Sequence, residues 1–340
     1  NQLIMKIQDL LKIDSNHMFK TYDLWPEIAR ESYENSLPKL DVNDIDHVVF
    51  AGMGGSGSIG DTISAILSKK DIHVSIVKGY TLPKTVDSKT IVIATSVSGN
   101  TSETLQVLKT ANKSSARVIG FASGGKMETY CKNEGISFQQ ISMIHSPRAS
   151  FTRFLYSILN VLEQILPIEK KEILESITTL QNMQEEIFSG NLTSSNKALS
   201  LAEFTNDVTA IYYPGGFQSI ATRYKNCLQE NAKIHAMTEN VIEACHNGIV
   251  SWEKKSVVKP VLIQGRNDHE KTIERWNILE KFFEEKKISY RKIDSIDGNI
   301  LSKIINLIYL LDYSTIYSAV LSNTNPTSVD AIDYIKSKLE

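Results

Sequence analysis

The chain has 340 residues, with 37 basic against 39 acidic side chains and a formal net charge of −2. Basic residues are mixed with acidic ones instead of gathered in blocks, which argues against nucleic acid as the main partner. No stretch is read as approaching the roughly 20 apolar residues of a membrane span, so the expectation is a globular protein of the cytoplasm.

The amino terminus, NQLIMKIQDLLKID, reads as the start of an amphipathic helix without a cleavable signal pattern. The run VVF then reads as a strand, AGMGGSGSIGD (Ala51 to Asp61) as a Gly-rich loop, and IGDTISAILSKK as a helix. The apolar runs VSIV, TIVIATS and RVIGFAS are short, and each is followed by a helical or loop segment, the pattern of a largely parallel α/β sheet. From Phe151 to about Met183 an apolar periodicity predicts one or two helices that link two halves, and the polar SGNLTSSNKAL, Ser189 to Leu199, reads as the linker.

Beyond it, TAIYYPGGFQSIATRYKNCLQENAK repeats the plan of strand, Gly pair and helix. The strand VVKPVLIQG, a polar helix from Asn267 to Lys287, the strand SYRKID and an apolar helix near Leu301 to Leu321 follow. Comparing VVFAGMGGSGSIGDTISAIL with AIYYPGGFQSIATRYKNCL gives a weak internal similarity, so two sheets of one type are expected, in domains 1–188 and 189–340. The cysteines Cys131, Cys227 and Cys245 lack CxxC spacing and read as core or near-core thiols. The seven histidines are dispersed without an HxH or HExxH pair, so no metal site is expected.

The first loop contains Gly52-x-Gly54-x-x-Gly57, which raises the question of a dinucleotide. Such a site needs an acidic residue about 20 positions on, at the end of the second strand. Here HVSIVKGY carries Lys78 instead, which leaves only an NADP-type variant as a minor alternative, and no GK[ST] follows the loop. The second loop, in TIVIATSVSGNTSETLQVL, sets Ser96, Ser98 and Thr101 between a strand and a helix, with Gly99 permitting a tight turn. Hydroxyls and backbone N–H groups at a helix start suit a phosphate dianion. The competing reading is a plain Thr101 helix cap; two such loops in one sheet favour the phosphate.

GMGGSG followed about 40 residues later by SVSGNTSET is similar to the paired loops of sugar isomerase (SIS) domains. SPRAS, NCLQENAK, EACHNGIVSWE and the ending LDYSTIYSAVLSNTNPTSVDAIDYIKSKL resemble the bifunctional phosphoglucose/phosphomannose isomerase family of archaea and some bacteria. The resemblance implies two SIS-type domains, each a largely parallel sheet flanked by helices in three αβα layers, and aldose–ketose isomerisation of hexose 6-phosphates. It assigns Gly55, Ser56, Ser96, Ser98 and Thr101 to the sugar phosphate, and Arg148, Glu230 and His246 to catalysis. It implies a homodimer in which His246 reaches the neighbouring subunit's site, and a terminal-helix lysine at the substrate, for which Lys336 matches best by position and Lys338 is the neighbouring alternative.

The chemistry agrees with these residue types. Isomerisation requires ring opening and the removal and return of a proton beside a carbonyl. A carboxylate with a pKa lifted by burial can shuttle that proton (Glu230), a histidine can exchange a proton with the ring oxygen (His246), and a guanidinium can stabilise the enediolate (Arg148). No redox carrier or metal is required, so no cofactor is expected. Asp268, His269 and Arg275 also match the family and are expected to tie a helix to its loop or to the partner chain. The chain departs from the family pattern at Val97, Gly248, Ser251 and Val329, near the sugar, and dual epimer specificity is the expectation, with Thr327 and Ser328 as substitutes for a hydroxyl at 329. The alternative is a non-catalytic SIS-type sugar-phosphate-binding protein, which is usually joined to a DNA-binding domain that this sequence does not show.

Overall fold

In the computed structural model, which describes residues 5–339, three helices precede the first strand: α1 (Ile7–Ile13), α2 (Met18–Asp23) and α3 (Trp25–Glu34). The expected amino-terminal helix is α1, and the first four residues of NQLIMKIQDLLKID lie outside the described residues. The chain divides into two compact units, one of residues 24–178 with 299–302, the other of the remaining described residues.

The first unit carries β1 (His47–Ala51), α4 (Gly54–Leu67), β2 (His73–Val77), β3 (Thr90–Ser96), α5 (Ser102–Asn112), β4 (Arg117–Ala122), α6 (Gly125–Glu134), β5 (Ser137–Gln140) and α7 (Phe151–Val161). Its five strands lie in the order β2-β1-β3-β4-β5, all parallel. Every residue of β1 and β3 is buried, as expected of central strands covered on both faces. Val49, Ala51, Val77 and Val92 pack against Val107 and Ala111 of α5, and Ala94, Ala122, Met127 and Cys131 form a neighbouring cluster. Helix α8 (Lys170–Ile187) is shared between the units at Thr178 and Thr179.

The second unit carries α9 (Lys197–Phe204), β6 (Thr209–Tyr213), α10 (Gln218–Ala232), β7 (Ala236–Asn240), α11 (Val241–Ala244), a 3₁₀ turn (Gly248–Glu253), β8 (Lys259–Gln264), α12 (Glu270–Glu285), β9 (Arg291–Asp294), α13 (Ile300–Leu321) and α14 (Asp330–Leu339). The order β7-β6-β8-β9, again all parallel, reproduces that of the first four strands of the other sheet. The expected pair of like sheets is therefore present. Two strands went unread in the sequence, β5 and β7, and both are edge strands with partly exposed, polar residues. Cys131 and Cys227 are buried and Cys245 partly so, all as free thiols, as expected.

One expectation needs correction. Helix α13 has 22 residues and is long and apolar enough to cross a membrane by length and composition, but 94% of its apolar window is buried inside the protein. It is the core helix of the second unit. Inside it Asp312, fully buried, receives Arg223 of α10 through Nη2 at 2.7 Å and Nε at 3.0 Å, and the Tyr22 hydroxyl of α2 at 2.9 Å. Burial works against the Arg223 charge, and Asp312 more than offsets it, holding the guanidinium above its ordinary range. Tyr313 donates to Asp23 Oδ1 (2.6 Å) and Tyr309 to Tyr22 O (2.7 Å), so α13 grips α2 along one face. The polar stretch from Ser189 is also packed. Asn196 is fully buried, donates to Ile187 O, Asn191 O and Tyr317 Oη, and caps α9 by accepting from Leu199 N.

Removing one partner of a buried ion pair leaves an uncompensated charge, a loss of about 3–5 kcal/mol. Asp312→Ala is expected to lower the unfolding free energy by that order in urea titrations, whereas Arg223→Met with Asp312→Leu together should cost much less. Equal losses in the two would mean that packing volume, and not the stranded charge, carries the effect.

Candidate active site

In the five-stranded unit both candidate loops leave the carboxyl ends of adjacent central strands, where open α/β sheets bind ligands. The first loop runs from β1 into α4, which begins at Gly54. Ser56 is buried, and its Oγ accepts the Val97 N–H of the second loop at 3.2 Å. The two loops are thus one construction. In the second loop Gly99 has φ +73°, and a Cβ there would lie 1.8 Å from Gly124 O. Only glycine fits, because a third loop, Ser123 to Gly125 after β4, presses against it: Ser123 N donates to Val97 O (2.9 Å) and Met127 N to Gly99 O (2.9 Å).

The hydroxyls decide between phosphate cradle and helix cap. Thr101 is the N-cap residue of α5 by backbone, but its side chain makes no cap bond to the helix. Its Oγ1 instead lies 2.8 Å from Ser96 Oγ, which also accepts the Gly99 N–H at 3.1 Å. The first-turn N–H groups of α5 therefore have no side-chain cap from Thr101, the condition for an anion at a helix start. Ser98 is exposed on the turn and accepts from Asn100 N at 3.2 Å. Lys78, the residue that spoke against a dinucleotide, is ion-paired with Asp61 of α4.

Arg148 joins this group through its backbone. A Cβ on Gly55 would lie 3.3 Å from both Arg148 Cα and Pro147 O, so the first loop packs closely against SPRAS. The SPRAS turn is braced by Ser150 Oγ, which donates within the turn and accepts Ile144 N at 2.8 Å, and by Trp25 Nε1, which donates to Ala149 O at 3.0 Å. The Arg148 side chain is buried. The structure thus gathers Gly55, Ser56, Ser96, Thr101 and Arg148. Sequence reading missed Asn100, whose Oδ1 accepts Lys126 N at 3.0 Å, and the Ser123–Gly125 loop; the Gly pair after the strand RVIGFA was the available signal.

In the four-stranded unit Glu230 is half-buried in the last turn of α10, whose carboxyl end leads into the amino end of β7. Lys233, in the same QENAK stretch, has φ +57° and donates through Nζ to Glu230 O (2.7 Å), Asn325 O (3.1 Å) and Ser328 O (2.7 Å). It neutralises the helix end and fixes the NPTS segment to it, a role the sequence reading did not assign. His246 is exposed and follows α11, beyond the carboxyl end of β7. The strand's five residues, roughly 16 Å, separate the two edges of the sheet. Within this unit the structure does not bring Glu230 and His246 together. Lys336 and Lys338 are exposed on α14, with the Lys338 ammonium 5.6 Å from the Tyr334 ring.

The loop after His246 has an unusual floor. A Cβ on Gly248 would lie 1.9 Å from Glu239 Oε2, so the Glu239 carboxylate of β7 occupies the space a side chain at 248 would take. Burial pushes its pKa up. Beside it, burial and then the nearby Glu239 and Cys245 push the Tyr212 phenol up, opposed by the hydrogen bond from Trp252, to about 12. Asp268 accepts Gly265 N (3.0 Å) and Trp276 Nε1 (2.9 Å), and His269 Nδ1 accepts Lys271 N (3.1 Å), so these two residues do tie α12 to its loop. Among the described residues no three His, Cys, Asp or Glu side chains converge as a metal's ligands would.

Comparison with known proteins matches residues 42–164 to the SIS domain and residues 194–339 to the bacterial phospho-glucose isomerase C-terminal SIS domain. The chain is 31% identical over 334 residues to a bifunctional phosphoglucose/phosphomannose isomerase of Caldicellulosiruptor bescii, covering 95% of this chain and 98% of that one. A protein of the same name from Aquifex aeolicus is 26% identical, over 93% and 94% of the two chains. A D-glucosamine-6-phosphate 4-epimerase of Sulfolobus acidocaldarius is 28% identical over 68% of this chain and 72% of its own. In fold, the C-terminal domain of glucosamine-fructose-6-phosphate aminotransferase from Francisella tularensis superposes with a TM-score of 0.68 at 18% identity, over 91% of this chain and 97% of that one.

Two outcomes follow from the geometry. Gly99→Ala forces both a left-handed alanine and a clash with Gly124 O, so a loss of about 1–3 kcal/mol in denaturant unfolding is expected, with weakened binding of sugar phosphate. For Glu239 the raised folded pKa means that its stabilising contribution is complete below the ordinary carboxylate value and is lost as pH rises through the folded one. Glu239→Gln should therefore raise the thermal midpoint at pH 8, and the gain should vanish as the pH falls toward 4. A gain that persists at low pH would exclude the buried charge as its cause.

Proposed function

The chain belongs to the bifunctional phosphoglucose/phosphomannose isomerase family, and from that membership we propose that it interconverts glucose 6-phosphate, mannose 6-phosphate and fructose 6-phosphate through a cis-enediol. The observation that carries the reading is the Thr101 hydroxyl, withheld from its own helix and turned onto Ser96 beside unspent helix N–H groups. This is a place for a monophosphate dianion, with the backbones of Gly55 and Ser56 forming the neighbouring wall.

Both aldoses lead to one intermediate. Glucose and mannose 6-phosphate differ at C2, and that stereocentre is lost in the enediol, so a single base that moves a proton between C1 and C2 serves both if the enediol can present either face. Glu230 is the group of suitable type for that base, half-buried at the end of α10 and held there through Lys233. Arg148, permanently charged and buried, suits the developing enediolate oxygen. His246 suits proton exchange at the ring oxygen during opening. Its place at the opposite edge of the sheet from Glu230 supports a homodimer in which His246 serves the partner's site. Of the terminal lysines, Lys336 is the better candidate for the substrate, since Lys338 lies over Tyr334.

Product identification from each of the three hexose 6-phosphates tests the activity, and a C4-epimerised product would move the chain to the chemistry of the Sulfolobus relative. Glu230→Gln is expected to lower kcat by about 10²–10⁴-fold with sugar-phosphate binding retained; near-normal kcat would remove Glu230 from the role. Mixing inactive Glu230→Gln and His246→Ala chains should restore roughly a quarter of wild-type activity if each site draws on two chains. No recovery after subunit exchange would place both residues in one chain's site.

A further inference from the structure

At the amino-terminal edge of the four-stranded sheet, three connections arrive side by side: the one entering β6 at Asp207, the one entering β8 through residues 254–258, and the one entering β9 through residues 286–289. Because the strands are parallel, all three must reach the same edge. They enclose a pocket of about 640 Å³, the size of a small-molecule site. Lys254, Lys255, Lys259, Lys286 and Lys287 line it, against only Asp207 and Glu253.

Lys254, Lys255, Lys286 and Lys287 are exposed, and the Lys259 and Lys286 ammonium groups lie 5.6 and 6.0 Å from the Phe204 and Phe282 rings. Ion pairs elsewhere on the surface join Lys132 to Glu128, Lys271 to Glu274 and Lys292 to Glu280, but none of the pocket's five lysines forms one among the described residues. The chain as a whole is slightly acidic, so this concentration of unneutralised cations is local. Like charges held around one concavity repel, and an anion placed among them relieves several repulsions at once. Four of the lysines arrive as two adjacent pairs on different connections, Lys254–Lys255 before β8 and Lys286–Lys287 before β9, an arrangement in which two linked phosphates can engage one pair each. Part of the wall is apolar, with Val257 74% exposed and Ile288 half-buried, which suits an organic body joined to the phosphates.

We propose that this pocket binds a small molecule carrying at least two phosphate groups. None of its lining residues belongs to the proposed sugar site, so it is a second site, at the opposite edge of the sheet from His246. The shared chemistry is the pair of phosphates, which a nucleoside diphosphate, a sugar bisphosphate or pyrophosphate would all supply.

Titration calorimetry of the whole protein with pyrophosphate, ADP and fructose 1,6-bisphosphate, with and without saturating fructose 6-phosphate, tests this. Binding of at least one probe is expected to persist in fructose 6-phosphate and to weaken as salt is raised through the range in which surface charges are screened. Lys255→Gln with Lys287→Gln should weaken it by about tenfold, the loss expected for two charge-assisted contacts, at an unchanged thermal midpoint. The probe bound best identifies the organic part. The proposal is overturned if no probe binds, if fructose 6-phosphate abolishes all binding, if the double variant binds as tightly as the parent, or if only a nucleic-acid duplex binds.

Discussion

The buried pair of Arg223 and Asp312 is the constraint on which the second unit is organised. Two buried charges are tolerated only when each satisfies the other, so α10 and α13 have one permitted register with respect to each other. Tyr22 completes the cluster by donating to Asp312, which brings α2 from the far end of the chain into the same core. The stripe Tyr309, Tyr313 and Tyr317 extends this grip with hydroxyls that each find an acceptor inside an otherwise apolar helix. Glu230 depends on this arrangement because it rides on α10, seven residues, about two turns, beyond Arg223.

A second constraint acts at the loops. The cradle in the five-stranded unit is held by close backbone approaches, and glycines stand where those approaches are tightest, at Gly99 against Gly124 and Gly125 against Ser98. Ser56 closes the gap between the loops with one hydrogen bond to a backbone N–H, which makes its hydroxyl part of the wall as well as a candidate for the ligand. The same logic appears in altered form in the other unit, where Gly248 leaves room for a carboxylate from β7.

Legibility followed burial. Central strands such as β1 and β3 are covered on both faces, so they appear in the sequence as continuous apolar runs and were read correctly. The edge strands β5 and β7, with SFQQ and AMTEN, have little apolar face to declare, and only pairing with a neighbour makes them strands. Helix α13 is legible as an apolar helix, but its membrane-span length and composition are not, because Asp312, Thr315 and the tyrosines interrupt the apolar run; only the structure shows that these are buried and satisfied inside the protein. Lys233 was quoted within its motif without a role because its partners, Asn325 and Ser328, lie more than 90 residues away.

By itself the sequence determined the fold class, the pairing of two like sheets, and the chemical types at the candidate site, because apolar periodicity, turn glycines and hydroxyl-rich loops are local properties that a short stretch can express. What only the tertiary structure decided is how those types are used: that Thr101 faces Ser96 instead of capping its helix, that Gly248 makes way for Glu239, that Glu230 and His246 stand at opposite edges of one sheet, and that lysines from the segments entering β8 and β9 meet around one pocket. Each of these is a relation between residues distant along the chain. Such relations follow from strand order and register, which are set by burying the whole core at once and leave no mark on any single segment.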